Sequence, residues 1–231
     1  MRDVVPSPNI WHHPETYELE NRGLDAAGVI DSTLREIGDW SGLRVLDVGC
    51  GNGFHLPTLA GGPGAAAHVT GVEPHPQLAA AAARRVSGLD RVEVLEGTAA
   101  ALPLPPGAVD VAHARWAYFF GPGCEPGLAE LDRVVAPGGT SIVVDTDAAR
   151  STFGGWFRRE RPGWDPVAVE RFWARHGWSR RGLDVELTLP DRASFEAVVR
   201  IELSPSVADE VLAGHRGTSV DHAVVVRWRR R

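Results

Sequence analysis

Val45-Leu46-Asp47-Val48-Gly49-Cys50-Gly51-Asn52-Gly53-Phe54 is the stretch on which the fold turns. A buried-strand pattern ends in an acid, glycines follow at alternate positions, and a helical pattern then begins. Glycine lets the backbone turn sharply and lets a ligand approach closely, while a helix N-terminus offers free amides. An adenosine-type cofactor is implied. The spacing selects among such cofactors. A dinucleotide loop, G-x-G-x-x-G, requires its third glycine at position 54, where Phe54 stands. The order here is D-x-G-x-G-x-G, and a carboxylate at Asp47 repels a pyrophosphate but suits an ammonium. S-adenosylmethionine has no phosphate and carries both a sulfonium and an ammonium, so it fits where a dinucleotide does not.

Outward from this loop, short valine-rich runs alternate with helical patterns. Residues 44–48, 67–72, 92–95, 109–113 and 141–145 are predicted strands. Residues 54–60, 76–86 and 126–135 are predicted helices, the last opened by Pro126 and stopped by Pro137-Gly138-Gly139. Such alternation predicts a parallel sheet covered on both faces. Apolar positions from Leu24 to Ile37 recur at helical spacing. Beyond Asp145 the rhythm breaks into a stretch with four tryptophans, Trp156, Trp164, Trp173 and Trp178, and a helix is predicted over 166–176. Residues 195–203 and 221–228 then read as strands around a helix at 207–212. The expected organisation is a single domain, 1–231. It comprises an N-terminal arm and helix (1–40), a cofactor-binding core (43–145), a substrate-side insert (146–190) and closing strands (191–231).

In this order the motifs resemble the class I S-adenosylmethionine-dependent methyltransferases of small-molecule type, from about Leu43 to Asp145. Val69-Thr70-Gly71-Val72-Glu73-Pro74 looks like the family's second strand, whose terminal acid grips both ribose hydroxyls; Glu73 and Pro74 occupy that place. Two oxygens on one carboxylate can take a vicinal diol in a bidentate way. Residues 96–104 resemble the adenine-side segment. Thr98 stands where the family often has Asp, so Thr98 and Ala99 would contact adenine through the hydroxyl or the backbone. Residues 110–115 look like the fourth strand, and 128–139 like the helix and turn before the fifth. The resemblance implies an α/β, Rossmann-like sheet of seven strands, mostly parallel, with the last one antiparallel beside the fifth. Asp47, Gly49, Cys50, Gly51, Gly53, Glu73, Pro74, Thr98, Ala99 and Arg115 are the expected cofactor-binding residues. Cys50 reads as a small packing residue and Phe54 as core.

Methyl transfer from a sulfonium is an in-line displacement, so the acceptor must be positioned and, where needed, deprotonated. Ligands of open parallel sheets lie beyond the carboxyl ends of the strands. Residues 113–120 and 145–147 therefore face the reaction, and the resemblance places the N-terminal arm as a lid. His12, His13, Tyr17, His113 and Tyr118 are the expected catalytic residues, with Arg115 and Trp116 at the pocket wall. Aromatic faces in the tryptophan-rich insert can hold a planar or cationic acceptor, or else form the core of a small cap.

Composition narrows the function further. Of 231 residues, 24 are basic and all of these are arginine, which excludes lysine Schiff-base, Walker-loop and kinase-lysine chemistry. Arginine stays protonated and is a poor base, so a proton acceptor must come from the histidines, tyrosines or carboxylates such as Asp145 and Asp147. The net charge of −6 argues against a general nucleic-acid partner, although arginines cluster at 158–161 and 227–231. No apolar run is long enough to span a bilayer, and no leader pattern opens the chain, so a cytoplasmic location is expected. Cys50 and Cys124 read as free thiols, and no His or Cys spacing suggests a metal. The expected activity is methyl transfer to an oxygen or nitrogen of a small molecule or peptide-like natural product. The alternatives are an RNA or protein methyltransferase, and a non-catalytic cofactor-binding protein.

Overall fold

The structure is a computed structural model that describes residues 4–62 and 64–231; the start of the arm at 1–3 and Pro63 of the 61–67 turn lie outside the described residues. Seven strands form one sheet: β1 (Arg44–Val48), β2 (His68–Glu73), β3 (Val92–Glu96), β4 (Val109–Arg115), β5 (Val135–Thr146), β6 (Ser179–Thr188) and β7 (Ser219–Arg230). Their order is β3-β2-β1-β4-β5-β7-β6. Pairings from β3 to β5 are parallel, and β7 lies antiparallel between β5 and β6. The order reverses beside β1, so the glycine loop leaves the sheet at its switch point, where open α/β sheets bind ligands.

Helices cover both faces because the central strands are apolar on both. One face packs Leu46 and Val48 against α6 (Glu125–Val134) and α8 (Pro166–Arg175), through Leu128, Leu131, Phe172 and Trp173. The opposite face packs Val45, Val69 and Val111 against α3 (Val29–Ile37), α4 (Leu56–Ala60) and α5 (Pro76–Arg85). A third core lies around the ends of β6 and β7, where Leu187 and Val220 meet α7 (Thr152–Glu160), α9 (Arg192–Glu202) and α10 (Pro205–Gly214). The arm is helical too. Here α1 (Pro8–His12) and α2 (Pro14–Gly23), each opened by a proline, lie against α9.

Two sequence expectations are corrected. Residues 195–203, expected as the sixth strand, are most of α9: Asp191 caps the helix by accepting from the Ser194 amide at 2.7 Å. Phe195, Val198 and Val199 then recur at helical spacing on its buried side, a pattern that the β-branched residues mask. The sixth strand is instead Ser179–Thr188, within the stretch expected as the insert. Leu183 and Leu187 are buried while most residues between them are charged, as expected of an edge strand covered on one side. Residues 146–190 thus supply α7, α8 and a sheet strand, and three of the four tryptophans, Trp156, Trp173 and Trp178, are core. The fifth strand also begins earlier than expected, at Val135, and runs through Pro137-Gly138-Gly139.

The arginine clusters are largely occupied within the chain. Arg159 pairs with Glu210, Arg227 with Glu170 and Arg229 with Asp132, while Arg158 donates to the Ala148 carbonyl. No helix of the described residues is long and apolar enough to cross a membrane.

Phe195 has no solvent exposure and stands at the centre of the third core. Phe195→Ala is expected to lower the unfolding free energy by about 3 kcal/mol, because an aromatic ring is lost from a closed site. Urea denaturation measures this, and a loss below about 1 kcal/mol would return Phe195 to a partly exposed position.

Candidate active site

Every parallel strand ends on one edge of the sheet, and a cavity of about 380 Å³ lies there, within the range of small-ligand sites. The glycine loop forms one wall. Gly49 has φ +74°, and a Cβ on it would stand 2.5 Å from the Ala117 Cβ. Gly51 has φ +56°, and a Cβ there would meet Ile10 of the arm at 2.8 Å. The loop is thus pressed between the β4 exit and the arm, which only glycine permits. Gly53 is not among the cavity walls; it packs against Ala82 of α5.

Glu73 ends β2 and is 4% exposed. One of its oxygens accepts from the Gly51 amide at 3.0 Å, the other from the His75 amide at 2.9 Å. Burial raises its pKa against the opposing pull of those two amides. Each oxygen keeps a lone pair for a further donor. Pro74, Thr98 and Ala99 continue the wall beside Glu73, while Asp47 and Cys50 line it from the loop. Burial, with Asp47 and Glu73 nearby, pushes the Cys50 thiol far up, and its sulfur fits over Gly71, where a Cβ would approach within 2.9 Å. It is a packing group.

His113 is 4% exposed and lies beneath the site, not among its walls. Its Nε2 accepts from Arg115 Nε at 3.1 Å, which leaves the ring proton on Nδ1, 3.4 Å from an Asp47 oxygen. Arg115 lines the cavity, but its guanidinium is also paired with Asp31 and lies 3.3 Å from His55 Nδ1. These groups hold the loop from below. Beyond Arg115 the chain is strained: Trp116 and Tyr118 have φ of +46° and +58°. A left-handed non-glycine residue costs about 1–3 kcal/mol, and such strain gathers at functional sites. Here it presses Ala117 onto Gly49 and places Trp116 and Tyr118 on the cavity wall.

The arm closes the site. Asn52 donates to Glu18 of α2 at 3.2 Å, and Glu18 also pairs with Arg85 of α5. Trp11 stands 5.1 Å from the His75 ring, and Asn9 donates to Glu202 at 2.6 Å. Tyr17 lines the cavity, and burial, then the charges of Glu20 and Glu202, hold its hydroxyl well above the ordinary range. His12 and His13 are exposed and do not line it. Phe54, expected as core, is half-buried on the wall, with the Arg85 guanidinium 5.8 Å from its ring.

The rest of the wall joins Asp145 and Trp164, which the sequence marks, to residues that it does not. Glu20 and Glu202, brought together by α2 and α9, form a hydrogen-bonded acid pair whose pKa values burial raises. Burial pushes Asp145, at the end of β5, up to about 6. His222 of β7 is pushed down to about 4 by burial; its Nε2 lies 3.1 Å from Thr146 Oγ1, which also accepts from Trp116 Nε1 at 3.0 Å. Its ring stacks on Phe153 at 4.2 Å. Phe157, Arg161 and Trp164 complete that wall. The sequence marks Asp145 by its place at the end of a predicted strand and Trp164 by the tryptophan-rich stretch; Glu20, Glu202, His222 and Phe157 carry no such mark and meet across long separations.

Residues 45–139 match the methyltransferase-domain family. That segment, from β1 into β5, is similar to a methyltransferase domain, and the resemblance covers the glycine loop and Glu73. Across 190 residues the chain is 28% identical to an uncharacterized 37.1 kDa protein in transposon TN4556 of Streptomyces fradiae, covering 77% of this chain and 52% of that one. Across 116 residues it is 30% identical to a demethylmenaquinone methyltransferase of Lactococcus lactis, covering 49% and 46%. The chain therefore spans about half the length of these relatives. A S-adenosylmethionine-dependent methyltransferase from Aquifex aeolicus shares the fold with a TM-score of 0.55 at 19% identity, over 92% of this chain and 98% of that one. S-adenosylmethionine, the cofactor that the sequence resemblance implies, fits the residues present. The glycine cradle leaves room where a Cβ would intrude, and Glu73 offers two acceptors of the kind a ribose diol needs.

Glu73→Ala removes both the diol acceptor and the brace on the loop, and is expected to weaken S-adenosylmethionine binding about tenfold or more. Unchanged affinity by calorimetry would dissociate Glu73 from the cofactor. His222 is held neutral, so the unfolded chain binds its proton first as pH falls below about 6.5, and the folded chain only near 4. Wild-type stability relative to His222→Gln should therefore fall between those values and level off below them. A pH-independent difference would mean that His222 is not shielded from water.

Proposed function

We propose that this protein transfers the methyl group of S-adenosylmethionine by in-line displacement to an oxygen or nitrogen of a small molecule. The observation that carries this reading is the make-up of the cavity wall. Glu73 and the glycine loop line one cavity with Trp116, Phe153, Trp164, Asp145 and the Glu20–Glu202 pair, and residues of α1 and α2 complete its wall. Within the arginine clusters that favoured a macromolecular acceptor, Arg159, Arg227 and Arg229 each pair with a carboxylate of the chain, which weakens that alternative. The relative named for demethylmenaquinone, a small molecule, supports the same class of acceptor.

Bound S-adenosylmethionine supplies an electrophilic methyl on a sulfonium. The chain's own residues do the rest. Glu73 would hold the ribose hydroxyls, Thr98 and Ala99 would flank the adenine, and the glycine loop would take the methionine part, with Tyr17 on the same cavity wall. The arm excludes water, which favours attack by the acceptor over hydrolysis. Trp116, Phe153 and Trp164 orient the acceptor between flat faces. Where the acceptor must lose a proton, Asp145 takes it: a carboxylate with a pKa of about 6 is ionised at neutral pH and is a stronger base than an ordinary aspartate.

Incubation with methyl-labelled S-adenosylmethionine and a panel of small phenols, amines and acids tests this. Label is expected in one small-molecule class, at a rate that falls as pH drops through about 6. Asp145→Asn should lower kcat by roughly a hundredfold with cofactor affinity unchanged. Label confined to RNA or protein would select the macromolecular alternative, and binding without transfer to any acceptor would select the non-catalytic one.

A further inference from the structure

A second cavity, also of about 380 Å³, shares Thr146 and Trp164 with the first. Its floor is the sheet face of β6 and β7, where Arg180 and Arg227 stand directly opposite each other. Like charges at such a position repel and need a counter-ion. Glu170 of α8 supplies one, with an oxygen 3.3 Å from Arg180 Nε and the other accepting from Arg227 Nη2 at 2.5 Å. Asp147 supplies the second, accepting from Arg180 Nη2 at 3.1 Å and Arg150 Nε at 3.3 Å.

Three guanidinium groups and two carboxylates line the cleft, and a third carboxylate, Asp184, pairs with Arg150 at 3.0 Å, so the charges balance; the hydrogen bonding does not. Arg227 is 3% exposed, and its Nε and Nη1 have no hydrogen-bond partner among the described residues. Buried charged donors left unpaired are costly, and a guanidinium suits the planar or tetrahedral oxygens of carboxylate and phosphate. Gly182 keeps the floor open between these groups, since a Cβ there would come within 3.1 Å of Arg150 Nη2.

We propose that this cleft is an oxyanion subsite that takes the carboxylate or phosphate end of the methyl acceptor. Its assignment to the acceptor rests on the methyltransferase reading above; the anion chemistry does not. Thr146 and Trp164, common to both cavities, mark where the reacting end and the anionic end of one molecule meet. The acceptor is then a small aromatic or unsaturated compound with an acidic tail.

Calorimetric titration with inorganic phosphate, and separately with acetate, tests the subsite. The wild-type protein is expected to bind phosphate saturably at one site, and Arg180→Gln to weaken that binding about tenfold. Arg84→Gln, which removes an exposed charge on α5, is expected to leave it unchanged. Arg227→Gln should abolish binding where circular dichroism shows a folded chain; should it not fold, Arg180→Gln carries the test. Absent phosphate binding, or equal affinity in wild type and Arg180→Gln, would overturn the subsite. Titrating S-adenosylmethionine into the same samples separates the two readings. Cofactor binding without phosphate binding overturns the subsite alone. Phosphate binding without cofactor binding overturns the methyltransferase reading, and with it the assignment to the acceptor.

Discussion

The site depends on one carboxylate. Glu73 sits at the end of β2 with an oxygen on each of two backbone amides, Gly51 and His75, so it fastens the loop after β1 to the turn after β2. That bridge spans adjacent strands and holds the glycine loop where the chain reverses its order across the sheet. A charged group this deep is costly unless it is hydrogen-bonded. Two amides offset much of that cost and leave acceptor capacity for a ligand. On the proposed function, cofactor recognition and loop geometry are therefore the same interaction, and a substitution at Glu73 disturbs both.

Around this bridge the remaining parts are held by contacts that cross long stretches of sequence. Glu18 of the arm reaches both Asn52 and Arg85, and Asn9 reaches Glu202. The arm is part of the cavity wall, with its own helices and partners. Ala117, between two left-handed residues, packs onto Gly49 and lines the cavity where β4 leaves the sheet. The chamber beyond is low in dielectric and holds an acid pair, a neutral histidine and an aspartate with raised pKa, so proton affinities there differ from those in water.

The cofactor half of this arrangement was legible in the sequence because it is local. Asp47, Gly49 and Gly51 lie within five positions, and Glu73 ends the next strand, so period and spacing alone bring them to one edge. Of the proposed acceptor half only Asp145 was legible, as an acid ending a predicted strand; Glu20, Glu202 and His222 come from α2, α9 and β7 and meet it only in the folded chain. Phe195 to Leu203 misled for another reason: its valines and isoleucine favour a strand, whereas the cap at Asp191 and the third core make it a helix. The charged edge strand at Ser179–Thr188 hid in the opposite way, with too few apolar residues to announce itself. His12 and His13, attractive as a pair in sequence, face solvent because α1 and α2 turn the other side of the arm to the cavity.

Co-crystallisation with S-adenosylhomocysteine tests the central claim most directly. Both ribose hydroxyls should lie on the Glu73 carboxylate, the amino-acid portion against Gly49 and Gly51, and the sulfur towards Trp116 and Asp145. A ligand bound with its ribose away from Glu73, or with its sulfur turned from that aromatic and acidic chamber, would contradict the account.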